Sequence, residues 1–407
     1  MKLRAIATAL VAALAATTTA CGSAGDSEQD VTMWVYPVIP DEAQHRDFWD
    51  KQIDAFTKDH PNIDVKVEIY PWAKREESLT TAIAGNKAPD LVYLIPDQIP
   101  KFAKLVQPVD QYLPDETKND YRDNVKEAVT IDGKLMGAPI LMGANPLMCN
   151  QKVLDAAGVE APETWDDMLA IAPKLKAKGF DVTNYYADPS ATLNQSFYPL
   201  LWEAGGDVFS EDGSKTAFDG DAGVKALTFL KELVDKGYTE KELITGIPAF
   251  EQTRLAQGKV ACTWQQLPAD VESFWGADAI TIHPPLKDEE RVGYGSIGAL
   301  SMLKQSDAKE AAAEWLAYVS SPEVTKAYDT AGNYFSPFAS TGALYTDGPQ
   351  AEVEKTLDLM VGAPLHDKAR DVMGVLAPEI QAALIGQKSP EQALSDAAEA
   401  ANSLIGQ

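Results

Sequence analysis

Residues 31–69 read VTMWVYPVIPDEAQHRDFWDKQIDAFTKDHPNIDVKVEI and contain the clearest structural pattern in the chain. Apolar side chains occupy alternate positions in residues 31–35 and again in 63–69, which predicts two β-strands. Between them, residues 49–56 carry Trp, Ile and Phe at helical spacing. A strand, a helix and a strand in this order form a βαβ unit with a right-handed crossover. The sequence therefore predicts an α/β fold.

Outside this unit, short motifs mark turns and helix ends. The pair Asp132-Gly133 lies between two apolar runs and predicts a tight hairpin. Thr164 and Asp167 stand three residues apart, as in a capping box, and Ser389 precedes a proline, so both places predict helix starts. A chain of 407 residues exceeds what one hydrophobic core accommodates, and we therefore expect two domains.

Composition excludes several classes of function. The chain has 61 acidic against 35 basic residues and a net charge of −26, which makes nucleic acid a poor partner and argues weakly against a highly anionic ligand. Its 4 histidines are isolated, and no HExxH, P-loop or GxSxG motif is present. We expect no enzyme activity, metal or cofactor.

The N-terminus has the pattern of a secretory signal peptide. Lys2 and Arg4 precede an apolar run at residues 5–16, which is too short to span a membrane as a helix, and small residues follow up to position 20. We therefore expect a signal peptide at residues 1–20 and an exported protein.

The residues after this segment suggest a lipid anchor. Ala20, Cys21 and Gly22 resemble a bacterial lipobox, which implies lipidation of Cys21 and attachment to the outer face of the cytoplasmic membrane. An ordinary secreted protein cut near Ala20 is the alternative. Residues 21–30 are small and polar and predict a flexible tether.

The other cysteines leave two possibilities open. Cys149 and Cys262 lie in apolar runs without the spacing of a zinc site. An exported protein could join them in a disulfide, and two buried free thiols are equally compatible with the sequence.

Several segments, taken in order, resemble one protein family. They are residues 54–72, 80–113, 132–169, 198–209, 249–264, 297–323 and 386–394, including DHPNIDVKVEIYPW, KAPDLVYLIPD, APETWDDML and AFEQTRLAQGKVACTW. Together they are similar to the family 1 extracellular solute-binding proteins of ABC importers, which are carbohydrate-binding and maltose-binding-protein-like. The resemblance covers nearly all of residues 31–407.

This resemblance implies a two-lobed, periplasmic-binding-protein-like fold with discontinuous lobes joined by a hinge of chain crossings. The first lobe is expected to contain residues 31–140 plus about 286–335, and the second 141–285 plus about 336–407. The crossings are expected near Ile140–Ala144, near His283–Leu286 and between Ser320 and Pro337.

The implied function is capture of a sugar or oligosaccharide between the lobes, by hinge closure, and delivery to the permease of an ABC importer. A ligand that touches both lobes favours the closed form. We expect a monomer that binds its ligand without altering it chemically.

Candidate ligand contacts combine aromatic rings with planar polar side chains, the mixture that suits a sugar. In the first lobe, Asp97 matches a hydroxyl-binding aspartate of the family, and Trp72 and Tyr36 follow predicted strands. Asp97 could instead cap the helix that follows, and the two aromatic residues could cover a lobe surface.

The remaining candidates lie at the hinge and in the second lobe: Asn145, Gln195, Trp202, Trp264, Gln265, Gln266, Tyr294, Gly295 and Ser296. Asn145 could be an ordinary turn residue, and the spacing of Trp202 is also typical of a core residue. The family resemblance makes residues 294–296 a cleft loop with backbone amides near the ligand.

The sequence departs from maltose-binding protein at two places. Leu94 and Gly143 stand where that protein has tryptophan and glutamate, so maltose itself is not the expected ligand. A cationic ligand such as a polyamine is the alternative, since Trp72 and Asp97 would also suit a cation. A secreted glycoside hydrolase is a weaker alternative, because its two carboxylates can come from distant segments.

Overall fold

The βαβ unit is present in the computed structural model, which describes residues 29–406. Strand β1 (Gln29–Val35) pairs in parallel with β2 (Ile63–Ile69), and helix α1 (Glu42–Phe56) connects them. Because β1 begins at Gln29, the predicted tether extends two residues too far. The predicted signal peptide and Cys21 lie outside the described residues.

The first sheet has the strand order β2-β1-β3-β13-β4, and β7 also pairs with β13. Strands β1, β2 and β3 are parallel, whereas β13 runs antiparallel to β3, β4 and β7. The elements after β2 up to the hinge are α2 (Arg75–Ala84), β3 (Leu91–Leu94), α3 (Ile99–Phe102), β4 (Val106–Gln107), α4 (Asp115–Asp120), α5 (Asp123–Glu127), β5 (Thr130–Ile131), β6 (Lys134–Leu135) and β7 (Ala138–Met142).

The second sheet has the order β11-β8-β10-β9, in which β9 and β10 are parallel and β8 is antiparallel to its neighbours. Its elements are β8 (Leu147–Asn150), α6 (Gln151–Ala157), α7 (Trp165–Ala177), β9 (Asp181–Thr183), α8 (Tyr198–Glu203), α9 (Asp221–Asp235), α10 (Glu242–Thr245), β10 (Val260–Thr263), α11 (Pro268–Trp275) and β11 (Ile280–His283).

The chain then passes between the lobes again. The remaining elements are β12 (Gly293–Tyr294), β13 (Ile297–Leu303), α12 (Lys309–Val319), α13 (Pro322–Gly332), α14 (Gly348–Glu354), β14 (Met360–Val361), α15 (Ala369–Leu384) and α16 (Pro390–Ile405). In the described part of the chain, no helix combines the length and apolarity needed to cross a membrane.

Two main hydrophobic cores divide these elements into two lobes. The first core contains buried residues from 31–144 and 297–360, and the second contains residues from 147–286 and 369–401. Hydrophobic burial therefore joins distant parts of the sequence within each lobe.

The hinge consists of neighbouring backbone segments. The Asn145 amide donates to the Tyr294 carbonyl at 2.9 Å, and the Gly295 amide donates to the Val361 carbonyl at 2.8 Å. The first crossing therefore lies at 143–145, beside the predicted Ile140–Ala144.

The other two crossings lie later than predicted. His283 pairs with Leu147 in the second sheet and Leu286 belongs to the second core, so the second crossing lies near Tyr294. Phe338 and Met360 belong to the first core, so the third crossing follows β14 rather than falling before Pro337. Residues 336–361 thus pack with the first lobe, because their apolar side chains cover its core.

Local signals agree with the structure. The Thr164 side chain accepts a hydrogen bond from the Asp167 amide in a full capping box, and Ser389 accepts one from the Gln392 amide. Asp132 and its neighbouring glycine have φ values of 51° and 73°, the conformation that a two-residue hairpin turn requires.

A disulfide joins the two sheet cysteines. Cys149 of β8 stands opposite Cys262 of β10 in the antiparallel pair, and both are fully buried. Of the two possibilities that the sequence left open, the structure has the disulfide.

Candidate ligand-binding site between the lobes

Three predicted residues follow the carboxyl ends of parallel strands in the first lobe. Tyr36 follows β1, Trp72 follows β2 and Asp97 follows β3. The carboxyl ends of parallel strands meet at one edge of a sheet, where α/β proteins bind ligands. The structure therefore brings these residues to the edge that faces the second lobe.

The aromatic residues at this edge form a stacked group. The Tyr36 and Trp72 rings stack with their centroids 4.9 Å apart, and Tyr93 meets both rings edge-on. The Trp72 indole donates to the Pro37 carbonyl at 3.3 Å, while 36% of the residue stays exposed. Burial raises the pKa of Tyr36 to about 12, so its hydroxyl remains a neutral donor. Tyr36 is thus a buried support, and Trp72 offers the open surface.

Asp97 connects the first lobe to the second. Its carboxylate lies 2.8 Å from Arg370 Nε and accepts a hydrogen bond of 3.1 Å from Asn194 Nδ2. It does not cap the following helix, for which no side-chain cap is formed. Because Asn194 and Arg370 belong to the second lobe, these contacts hold the lobes together.

Two buried tyrosines surround this connection. Burial, followed by the negative charge of Asp97, raises the pKa values of Tyr198 and Tyr294 above their ordinary range. Both hydroxyls therefore stay protonated and can donate hydrogen bonds. We call the group Asp97, Asn145, Asn194, Tyr198, Tyr294 and Arg370 the interlobe seam.

The seam contains polar atoms that lack partners within the described chain. They are Asn145 Nδ2, Asn194 Oδ1 and the Tyr198 hydroxyl, all of which are buried. Leaving such a group without a hydrogen bond costs about 1–3 kcal/mol. One donor amide, one acceptor amide and one hydroxyl can together serve the hydroxyl groups of a polar ligand.

Three second-lobe candidates follow the carboxyl end of β10, and two of them, Trp264 and Gln265, have structural roles. Trp264 packs into the second core and its indole donates to the Ser196 carbonyl at 3.2 Å. The Gln265 side chain accepts from the Tyr186 amide at 3.2 Å and so ties two loops together. Trp264 and Gln265, which were predicted as ligand contacts, thus have partners within the second lobe in this arrangement.

The other predicted residues are divided between the lobe surface and the hinge. Gln195 and Gln266 are half-buried, and Trp202 is half-buried against the second core. The Gly295 amide donates to the Val361 carbonyl at the hinge and is therefore already paired in this arrangement. The Ser296 carbonyl also takes part in the hinge, because it accepts a hydrogen bond of 2.7 Å from the Gly143 amide.

Comparison with known proteins assigns the chain to a family. A family model described as "Bacterial extracellular solute-binding protein" matches residues 42–326. The chain belongs to this family. The extracellular solute-binding proteins are exported and bind solutes without converting them, so the expectation of a binding protein rather than an enzyme is confirmed.

Individual relatives agree with this assignment. A Brucella abortus protein named as a binding protein is 23% identical over 366 residues, covering 86% of this chain and 88% of the relative. The diacetylchitobiose binding protein of Streptomyces coelicolor is 26% identical, and the match covers 73% of this chain and 69% of that relative. The crystal structure of the cyclic alpha-maltosyl-1,6-maltose binding protein from Arthrobacter globiformis superposes with a TM-score of 0.79 at 22% identity, covering 92% and 98% of the two chains. The two-lobed fold is therefore that of the solute-binding proteins.

The structure of this solute-binding protein shows what surrounds Leu94 and Gly143, the two positions at which its sequence differs from maltose-binding protein. A Cβ atom at Gly143 would lie 2.2 Å from the Ser296 hydroxyl, so any larger residue there requires the serine side chain to turn away. Leu94 is fully buried in β3 and packs in the first core.

Sequence reasoning missed the residues that complete the seam. Asn194 lies one position before the predicted Gln195, so the prediction pointed to the correct segment but to the neighbouring residue. Tyr198 lies one turn later. Arg370 comes from the start of α15, far along the chain, and no local signal connects it with Asp97. Among residues 29–406, no group of His, Cys, Asp and Glu could hold a metal ion.

Proposed function

We propose that this solute-binding protein captures a sugar or oligosaccharide at the interlobe seam and delivers it to the permease of an ABC importer. The observation that carries the proposal is the set of unpartnered buried polar atoms on Asn145, Asn194 and Tyr198. They lie where two lobes meet, which is where a ligand touching both lobes favours closure.

The chemistry of the seam supports a carbohydrate. Sugars present apolar C–H faces and rims of hydroxyl groups, which require aromatic rings and planar polar groups. Trp72 supplies an open ring at the rim, and the amides and phenols of the seam supply donors and acceptors. The relatives named for diacetylchitobiose and cyclic maltosyl-maltose binding support the same class of ligand.

A cationic ligand such as a polyamine has less support. A cation site needs buried carboxylates without partners. Asp97 already contacts Arg370, and Glu76 already contacts Lys101 at 2.8 Å. The seam therefore has no carboxylate free to neutralise a polyamine.

Access to the seam requires movement. Asp97 and Tyr294 are only 1% and 6% exposed, so a ligand reaches them when the lobes separate. The three neighbouring crossings at 143–145, 293–296 and 360–361 can act as a hinge, since few backbone segments have to bend. We include in the proposal the division into discontinuous lobes, with the crossings at these positions.

Attachment to the membrane through Cys21 belongs to the same proposal. A lipid on Cys21 would keep the protein near its permease, and residues 22–28 would bridge the distance to β1. This arrangement suits a carrier that works as a monomer on the outer face of the cytoplasmic membrane.

A binding screen tests the proposal. We expect mono- or oligosaccharides to raise the melting temperature of the purified protein, by an amount that corresponds to about 2.7 kcal/mol at a hundredfold excess over Kd. Putrescine and spermidine serve as cationic controls in the same screen. Stabilisation by polyamines alone would contradict the sugar assignment, and release of a product from a bound glycoside would contradict a pure binding role.

A further inference from the structure

Arg75 lies beside the seam, and no carboxylate of residues 29–406 forms an ion pair with its guanidinium. Its Nη1 donates to the Trp72 carbonyl at 3.2 Å, and its Cζ lies 5.4 Å from the centre of the Trp72 ring. Its Nε is buried and has no hydrogen-bond acceptor in the described chain. An arginine has five N–H donors, and within the described residues Nη1 has a protein acceptor while the buried Nε has none.

The neighbouring carboxylates attract Arg75, but their closest contacts are with other cations. Asp97 lies 2.8 Å from Arg370, and Glu76 lies 2.8 Å from Lys101 and 3.7 Å from Arg370. Each carboxylate of this cluster therefore already has a cation beside it. The cluster thus contains three cations, Arg75, Lys101 and Arg370, but only two carboxylates, Asp97 and Glu76. One positive charge is left unbalanced in a protein whose net charge is −26.

Arg75 lies among the groups that would surround a ligand. Its charge acts on Tyr36, Tyr93 and Tyr294, which line both the aromatic group and the seam. Burial, followed by repulsion from Arg370, lowers the pKa of Arg75. Arg75 is half-buried, so an anion bound beside it would replace part of the solvation that its guanidinium has lost.

We propose that the ligand is a sugar with a single carboxylate, of the uronic acid class, and that Arg75 binds this carboxylate. The inference rests on the proposed function and narrows its ligand. A planar carboxylate matches the paired N–H donors of a guanidinium. One negative charge balances the one surplus positive charge, whereas a sugar phosphate would bring about two to a strongly acidic protein.

A panel of matched ligands tests the inference on the purified wild-type protein. We would titrate galacturonate against galactose, glucuronate against glucose, and their dimers, by calorimetry. Because hydrogen bonds to a charged group contribute about 1.5–3 kcal/mol, a uronate should bind roughly ten- to a hundredfold more tightly than its neutral counterpart. Glucose 6-phosphate serves as the dianionic control.

Variants then locate the carboxylate. Arg75→Gln should lower the affinity for the uronate by a larger factor than the affinity for the neutral sugar, so that the preference for the uronate is lost, and Arg75→Lys should restore part of that preference. Arg46→Gln is the matched control, because Arg46 pairs with Glu42 on the exposed face of α1. Melting curves without ligand check that each variant is folded.

The outcomes separate the two proposals. Equal binding of uronate and neutral sugar, tighter binding of the phosphate, or an unchanged uronate preference in Arg75→Gln would overturn the carboxylate assignment and leave the sugar function standing. A panel in which no carbohydrate binds would overturn the proposed function itself.

Discussion

At the scale of single residues, the contact between Asp97 and Arg370 combines two roles. It bridges the lobes, and it supplies an acceptor at the place where a ligand would lie. Asp97 is 1% exposed, so breaking this pair leaves a charge in a poorly solvated place. We therefore expect Asp97 to affect both the closed form and ligand binding.

We expect Asp97→Asn to weaken ligand binding by about tenfold or more. Loss of a buried partner costs about 3–5 kcal/mol, and part of that is recovered because Glu76 lies 3.7 Å from Arg370. Loss of this contact destabilises the closed form. Because only that form binds the ligand tightly, the apparent affinity falls with the fraction of molecules that adopt it. Calorimetry with the best ligand of the screen measures the effect.

Asp358→Asn is the matched control for this change. Asp358 pairs with Arg122 at 3.2 Å on the first lobe, but its side chain is 89% exposed. Exposed pairs contribute little, so affinity should stay within about twofold of the wild type. Equal affinity of Asp97→Asn and Asp358→Asn would show that the interlobe pair has no part in binding.

Residues whose partners are close in sequence could be predicted, and those whose partners are distant could not. Thr164 and Ser389 cap helices through contacts three residues away, which the sequence contains in full. Asp97 could be singled out as a cleft residue through family resemblance. Its partner Arg370 is brought to it by the packing of two lobes, and no local pattern encodes that packing.

At the scale of elements, the disulfide covalently links the two inner strands of the second sheet. It links neighbouring strands β8 and β10, whose sequence separation at the cysteines is 113 residues. A cross-link over so long a loop restricts the unfolded chain strongly.

We expect the double variant Cys149→Ala/Cys262→Ala to lose about 2–5 kcal/mol of unfolding free energy. Denaturant unfolding followed by circular dichroism measures the loss. Treatment of the wild type with a reductant provides the internal comparison, because it opens the bond without altering the buried side chains in any other way. Identical midpoints for oxidised and reduced protein would contradict a stabilising role.

Element order was easier to predict than the boundaries between lobes. The βαβ unit follows from hydrophobic alternation, which is local. The crossings depend on which core an apolar segment covers, and apolar residues such as Phe338 and Met360 would suit either core by composition. For this reason two of the three crossings lie later than the sequence suggested.

At the scale of the whole molecule, the hinge and the seam together predict a change of shape. The seam side chains are buried in the closed arrangement, whereas the aromatic residue Trp72 remains open at the rim. A ligand can therefore touch the first lobe before the lobes close around it.

Saturating ligand should reduce the radius of gyration measured by X-ray scattering in solution. Closure buries the seam and brings the two centres of mass together, and a ligand that contacts both lobes shifts the population towards this form. A sugar that gave no stabilisation in the screen is the control and should leave the curve unchanged. An unchanged radius with the bound ligand would contradict closure by the hinge.

The insertion of β13 into the first sheet also governs the order of folding. Strand β13 lies between β3 and β4, so the first sheet lacks an inner strand until residues 297–303 have been synthesised. Until then the edges of β3 and β4 stay unpaired, and long-range pairing is slow to form. In an exported protein, such a delay would help to keep the leading part of the chain unfolded while it crosses the membrane.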